Sequence, residues 1–458
     1  MNIKFYNTLT RQKENFNPIK SGEVTIYTCG PTVYDRSHIG NFRTFLFEDI
    51  LKRVLQLVGY KVKHVMNITD VDDKTIKKAN DESKTLAEIT SKYTAEFMED
   101  LAMLKILPAD EFPVATNHIQ EMIVMISTLI KNGNAYTTDN GSVYFSIESF
   151  KDYGKLAQLD LKGLKKTERV SSDEYTKDHP QDFALWKAWK EEDGDVSWDS
   201  PWGKGRPGWH MECSVMSTQY LGNHFDIHCG GVDNIFPHHE NEIAQSCAAL
   251  NTQFVNIWMH SEHLIMADEK MSKSLGNIKT IPELLADGHS IESLRFALIS
   301  SHYRSKLAFS NNKLEDAKKS VHRINELYHK LQKLADAGNT IPDEFDQFIE
   351  ILVDDLNTPK ALGVLFNYVR KLNRKIDNDK LSKKEASIGL NFLNKADIIL
   401  SILKKQDDIP ENIVQLVTQR ESARKEKNWK LSDDLREELK KKGWIVEDLP
   451  DGTKCYPL

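Results

Sequence analysis

Cysteine is scarce in this chain of 458 residues, which carries only Cys29, Cys213, Cys229, Cys247 and Cys455. Thiols this few and this scattered exclude a disulfide framework, so each is read as a buried packing residue or a ligand. Long apolar runs are missing as well. Charged residues make up 28% of the chain and hydrophobic ones 40%. No stretch nears the roughly 20 apolar residues that a membrane-spanning helix needs. Nor is there an excess of positive charge. The 61 Lys and Arg against 68 Asp and Glu leave a net charge of −7, which argues against loose electrostatic binding to nucleic acid but not against local basic patches. The opening MNIKFYNTLTRQKENF has no apolar core followed by small residues, so no secretory signal is read there and a cytoplasmic location is expected.

What is present begins with length, which exceeds a single hydrophobic core and points to two or three domains. EVTIYTCG (Glu23 to Gly30) reads as a strand, NFRTFLFEDILKRVLQLVGY as an amphipathic helix, and KVKHVMNITD as a second strand. Strand, helix, strand is a βαβ crossover, which implies a parallel sheet and an α/β fold. From residue 110 to about 205 the pattern turns irregular, with one helix, a hairpin turning at Asn140-Gly141 and a polar region. Strand signals resume at NHFDIHCGG and QFVNIWMHSEHLI, so this segment reads as an insertion into one sheet domain. Beyond residue 310, Leu314, Ala317, Val321, Ile324, Leu327, Leu331 and Leu334 form the stripe of a bundle helix. Further on, Thr358 and Pro359 read as the cap and first position of another. The tail combines a charged helix with two short strands around an Asp-Gly turn.

Three stretches carry chemistry. HIGN, His38 to Asn41, follows the first strand and opens the first helix. There unpaired N–H groups and the helix dipole favour phosphate, and Gly40 permits close approach of a ligand ring. EKMSKSLGN, Glu269 to Asn277, places Lys270 and Lys273 in a Ser- and Gly-containing loop able to close on a polyphosphate. In FPHHENEIAQS, helical spacing puts His238 and Glu242 on one face and His239 about 100° away. A metal site needs three or four ligands, and Cys29 and Cys213 are the strongest additional candidates.

HIGN and KMSKS together resemble the paired nucleotide-binding signatures of class I aminoacyl-tRNA synthetases. TCGPTVYDRSHIGN, NITDVDDK, RPGWHMECS, GGVDNIFPHHENEIAQS, EKMSKSLGN, DDLNTPKAL and RKEKNW together resemble the cysteinyl-tRNA synthetase family along essentially the whole chain. The resemblance implies a cysteine–tRNA ligase that makes cysteinyl adenylate from L-cysteine and ATP and transfers cysteine to tRNA(Cys). It implies Zn²⁺ held by Cys29, Cys213, His238 and Glu242, recognising the substrate thiolate, and Mg²⁺ arriving with ATP. Thr32, Thr69 and Trp209 would line the cysteine pocket. His38, Gly40, Asn41, Asp233, Lys270, Ser272 and Lys273 would hold ATP, with His38, Asn41, Lys270 and Lys273 stabilising charge in the transition state. Asn41 departs from the class pattern, which usually has His there; it donates a hydrogen bond but cannot titrate. Arg424, Trp429, Asp433 and Asp448 match positions that contact the anticodon.

The fold expected is a Rossmann-like parallel-sheet catalytic domain, in halves 1–109 and 206–265, split by a connective insertion at 110–205. A KMSKS loop and stem-contact region at 266–310, a helical bundle at 311–400 and a mixed α/β anticodon-binding tail at 401–458 complete it. A monomer is expected. Two rival activities fit parts of this pattern: a zinc-dependent ligase joining cysteine to a small amine, and a non-catalytic tRNA-binding paralogue. The tail disfavours the first, and the presence of His38, Lys270 and Lys273 disfavours the second.

Overall fold

The computed structural model describes residues 2–159, 182–266, 279–404, 410–449 and 452–457. The chain divides into two compact units, Met1–Ile402 and Leu403–Leu458.

The first unit is organised around four parallel strands in the order Val255–Ser261, Phe225–Gly231, Glu23–Thr28, Lys61–Met66. Helices cover both faces of such a sheet, so its strands read as buried runs rather than as alternating patterns. All seven residues of FDIHCGG are buried. Asp226 is tolerated inside because it accepts from the backbone N–H groups of Ile19 (2.7 Å) and Thr25 (2.9 Å) and from the Thr25 hydroxyl (2.7 Å). Because the strands are parallel, their carboxyl ends share one rim, where ligands of such sheets bind. Cys29, Asn67 and Asp233 each follow a strand at this rim, and the helix Ile39–Leu57 starts there.

The insertion is more ordered than its sequence suggests. Its hairpin, Ala135–Thr137 with Val143–Phe145, continues into Phe183–Ala188 and Gly205–Pro207 as a four-stranded antiparallel sheet. FALWKA has no alternation because five of its six residues are buried, and periodicity alone does not distinguish such a strand from a helix. Gly208 then delivers the chain to the helix Trp209–Leu221. A Cβ on Gly208 would meet the Ala184 carbonyl oxygen at 2.0 Å, so only glycine allows this helix to start so close to the inserted sheet. Asp72 caps the Asp73–Asp81 helix by accepting from Lys74 N–H at 2.7 Å. Its neighbours act elsewhere: Asp70 accepts from Thr116, and Asp73 pairs with Lys187 and Arg206 of the insertion.

Helices Asn311–Leu334, Asp343–Val353, Thr358–Asp377 and Lys383–Leu400 form the bundle. The expected stripe is buried from Leu314 to Leu331, whereas Leu334 is exposed where its helix ends. The cap of the third helix lies one residue earlier than expected. Asn357 accepts from Lys360 N–H (3.2 Å), freeing the Thr358 hydroxyl to donate to the Ile299 carbonyl (2.7 Å). Bundle and sheet domain meet at Arg295, which is fully buried. It pairs with Asp49 and donates to the carbonyls of Leu400 (2.6 Å), Leu104 (2.9 Å), Lys105 (3.3 Å) and Ile399 (3.3 Å).

The second unit has helices Glu411–Lys425 and Trp429–Lys441 and an antiparallel hairpin, Trp444–Leu449 with Gly452–Pro457. Its small core comprises Ile413, Leu439 and Val446. No described helix is long and apolar enough to cross a membrane.

Candidate metal and nucleotide site

Cys29 leaves the first strand at the rim, and the helix Trp209–Leu221 brings Cys213 to it, with the two sulfurs 3.9 Å apart. From the other side comes FPHHENE. A turn of wider, π-type winding at Ile235–His239, interrupted by extended backbone at Phe236, precedes the helix Glu240–Leu250. His238 Nε2 lies 3.1 Å from Glu242 Oε1, as their spacing predicts.

The same turn also directs His239 inward. Its Nε2 is 3.2 Å from the Cys29 sulfur, and its Nδ1 is 2.8 Å from His260 Nε2. Donor atoms of Cys29, His238, His239 and Glu242 lie within 4.8 Å of one another. Regular helical spacing misses His239 because it presumes uninterrupted α-helix. Gly230 makes room for this ring: a Cβ there would lie 2.8 Å from its Cε1. The structure thus brings three of the sequence candidates, Cys29, His238 and Glu242, together with His239, and sets the fourth, Cys213, beside Cys29.

The donor chemistry fits a metal cation. All five side chains are buried or nearly so, and burial raises both thiols and Glu242 while depressing both imidazoles. The thiols and the carboxyl are thereby held toward their neutral forms until a positive charge is close by, whereas the imidazoles stay neutral, the form that can ligate a metal. Glu242 Oε1 is buried and accepts no hydrogen bond despite lying beside His238. Its other oxygen is engaged by His228 Nε2 at 2.9 Å, an outer contact that orients the carboxylate. His238 is steered by His210, with Nδ1 to Nδ1 at 2.9 Å, and by the Trp209 ring stacked on it at 4.1 Å. His228 stands in a fully buried strand, where sequence offers no signal separating an orienting histidine from a packed one. His224 lies outside the cluster, bonded to Asn256 at 2.7 Å.

Thr32 and Thr69, the two threonines of the expected amino-acid pocket, form a parallel bridge between the chain segments that follow the first two strands. His38 caps the first helix. Its backbone N–H donates to Asn41 Oδ1 at 3.0 Å, which turns the Asn41 amide NH₂ away from the backbone. Residues 279–280 return to this point: Ile39 N–H donates to the Lys279 carbonyl at 2.9 Å, and Thr280 bridges His38. Lys270, Ser272 and Lys273 lie outside the described residues. Asp233 is exposed just past Gly230 and Gly231.

In the second unit Trp429 is 57% exposed, and the Arg424 guanidinium lies 5.8 Å from its ring centroid. Asp433 is exposed on the same helix as Trp429. Asp448 accepts twice from buried Arg420, both at 2.8 Å, and pairs with Arg424 at 3.0 Å. These contacts hold its carboxyl below the usual range, Arg420 contributing most.

Three family models match in order along the chain. They are the class I (C) tRNA synthetase catalytic domain at residues 15–319, the DALR domain at 347–404 and the cysteinyl-tRNA ligase anticodon binding domain at 406–454. The chain is 47% identical to a protein of Chlamydia felis named cysteine–tRNA ligase, over 100% of this chain and 98% of that one. It is also 47% identical to one of the same name from Brachyspira hyodysenteriae, over 99% and 98%. Among solved structures, methionyl-tRNA synthetase of Mycobacterium tuberculosis with methionyl-adenylate is similar in fold. Its TM-score is 0.58 at 14% identity, covering 82% of this chain and 89% of that one. A leucyl-tRNA synthetase from Agrobacterium radiobacter, solved as a ternary complex with tRNA, has a TM-score of 0.61 at 10% identity, covering 84% and 85%.

Proposed function

The chain belongs to the cysteine–tRNA ligase family of class I synthetases, and from that premise we propose how its residues divide the work. The protein is an ATP-dependent ligase. It joins L-cysteine to AMP with release of pyrophosphate, then transfers the cysteinyl group to the 3′ end of tRNA(Cys). A metal site formed by the buried Cys, His and Glu cluster accompanies that activity.

Zn²⁺ suits this donor set best, and Cys29, Cys213, His238 and Glu242 would hold one ion per chain. When bound, it supplies a Lewis acid that favours a thiolate sulfur over serine's hydroxyl oxygen. An apolar pocket discriminates poorly between side chains that differ by one atom. His239 supports Cys29 from below, and His228 orients Glu242.

No side chain is needed as a nucleophile. The cysteine carboxylate attacks the α-phosphorus and pyrophosphate departs, so the protein has to align the reactants and stabilise charge. His38, Gly40 and Asn41 take the phosphates at the helix start. Because Asn41 Oδ1 is committed to the cap, only its NH₂ faces outward, the group that can donate to an anionic oxygen. Asp233 takes the ribose. Lys270, Ser272 and Lys273 close on the triphosphate, which brings Mg²⁺. Thr32, Thr69 and Trp209 hold the amino acid. In the tail, Trp429 offers its indole to an anticodon base beside Arg424, with Asp433 and Asp448 in support. A monomeric cytoplasmic enzyme is the state this reading expects.

The observation that carries this reading is the approach of two sulfurs, two imidazoles and a carboxylate at the rim where the HIGN helix begins. The experiment is ATP–pyrophosphate exchange by the purified protein with cysteine and serine in parallel. Exchange that depends on cysteine and is far weaker with serine is expected; no exchange at saturating ATP with zinc present would refute it.

A further inference from the structure

Lys74 and Tyr34 have no part in the assignments above, yet they meet at the rim. The bridge between Thr32 and Thr69 lays the segments that follow the first two strands side by side. Tyr34 comes just after it on one segment, its N–H donating to the Thr32 carbonyl at 3.1 Å. On the other, Lys74 opens the helix Asp73–Asp81, and its Nζ lies 5.5 Å from the centre of the Tyr34 ring. The ring is partly buried and the lysine is exposed. Among the described residues, neither Lys74 nor Lys77, one turn further along the same helix, makes an ion pair. The neighbouring acids are engaged elsewhere: Asp72 caps the helix, Asp73 pairs with Lys187 and Arg206, and Glu82 pairs with Lys78 and Lys84.

Their place on the rim is the side that the nucleotide leaves open. In the strand order Val255–Ser261, Phe225–Gly231, Glu23–Thr28, Lys61–Met66, Asp233 follows the second strand and His38 opens the helix after the third. Lys74 follows the last, where the insertion is attached through Asp73 and through Asn80, which donates to the Glu192 carbonyl at 2.9 Å. The second step of the reaction brings a tRNA ribose hydroxyl to the carbonyl of the adenylate, and it has to arrive without displacing the nucleotide. The 3′ end that carries this hydroxyl is single-stranded, and such ends are held by cations on the phosphates and aromatic rings on the bases. Lys74 and Tyr34 supply one of each, and attraction between ammonium and ring keeps the long lysine side chain near its neighbour.

Resting on the reading of His38, Asn41 and Asp233 as the nucleotide side, we propose that Lys74 and Tyr34 receive the unpaired 3′ end of tRNA. Lys74 pairs with a phosphate of the last linkages, and Tyr34 offers its ring to a base. Lys77 continues the cationic track along the helix toward Asn80 and the insertion. These contacts form with the second substrate, so they serve transfer of the cysteinyl group and not formation of the adenylate.

The test uses the full chain with zinc and separates the two steps. Pyrophosphate exchange reports the first, and single-turnover transfer of cysteine from preformed adenylate to tRNA(Cys) reports the second. Equilibrium binding of intact tRNA(Cys) is compared with that of tRNA(Cys) lacking its 3′-terminal CCA. Lys74→Ala and Tyr34→Leu are each expected to slow transfer by about tenfold, the scale of one lost stacking or phosphate contact. The preference for intact over truncated tRNA is expected to shrink by a similar factor. Exchange, KM for cysteine and for ATP, and bound zinc are expected to hold. Lys74→Arg keeps the charge and is expected to retain most of the transfer rate. Should Tyr34→Leu fail to fold, Lys74→Ala and its rescue by Lys74→Arg carry the test. Unchanged transfer with an unchanged binding preference overturns the inference. So does a raised KM for ATP or pyrophosphate, which would make Lys74 a contact of the nucleotide. A parallel fall of exchange and transfer also overturns it, leaving the pair as a support for the loop that carries Thr32 and His38. Absence of cysteine-dependent exchange in the unsubstituted chain would instead overturn the underlying reading, and this inference with it.

Discussion

His228 Nε2 lies 2.9 Å from Glu242 Oε2, on the side of the carboxylate away from His238. It engages the oxygen that the donor cluster does not use. Partners of this kind typically contribute about 10–100-fold to metal affinity. His228→Ala is expected to lose zinc to a competing chelator at roughly that ratio, measured by titration, while the circular dichroism spectrum stays unchanged.

Removing a sulfur should have a larger effect. In Cys213→Ser, bound zinc measured by atomic spectroscopy and cysteine-dependent exchange are expected to fall together. Zinc retained at one ion per chain would take Cys213 out of the ligand set and leave His239 as the fourth donor beside Cys29.

The tail separates two activities. Trp429→Ala is expected to lower tRNA charging, with a stacking loss of about 1–3 kcal/mol showing as reduced kcat/KM for tRNA. Pyrophosphate exchange, which needs no tRNA, is expected to be unaffected. Asp448→Asn should show the same pattern more weakly, because its two arginines lose a charged partner but keep an acceptor.

Asp49 and Arg295 are a fully buried ion pair, and Asp49 also accepts from Arg53 and from Leu107 N–H. Removing one partner of such a pair costs about 3–5 kcal/mol, because the remaining charge is stranded. Asp49→Ala is expected to lower the urea midpoint accordingly, with an unchanged slope.

Acid should weaken the fold through His64. Burial holds its pKa at about 3, against about 6.5 when unfolded. Between those values the unfolded chain binds a proton that the native protein does not, so stability rises with pH across the window and is lost as pH falls below about 6.5. One such group contributes up to about 1.4 kcal/mol per pH unit. His64→Gln is expected to flatten the slope of unfolding free energy against pH between about 4 and 6. An identical slope would exclude His64 as a contributor.

The parts legible in sequence are those where local spacing and tertiary geometry agree. The βαβ crossover and the bundle stripe announce themselves through periodicity, and His238 with Glu242 through helical spacing. His239 escapes because the turn before it is not regular helix, and no residue type marks that irregularity except Pro237. The strand Phe183–Ala188 escapes because burial on both faces erases alternation. Glu212 escapes for another reason: a glutamate in the first turn of a helix reads as a favourable charge at the dipole's positive end, and only the fold shows that it is buried and turned inward to Thr69.

Arg295 reads four main-chain carbonyls and one carboxylate. Carbonyl oxygens are common to every residue, so as far as this arginine is concerned Leu104, Lys105, Ile399 and Leu400 could be exchanged for others that preserve the backbone path. The joint between sheet domain and bundle is therefore written in backbone geometry. Its polar specificity rests on a few side chains, Arg295 and Asp49 with Arg53, which donates to the Ile398 and Lys105 carbonyls, while burial alone constrains Leu104, Ile399 and Leu400.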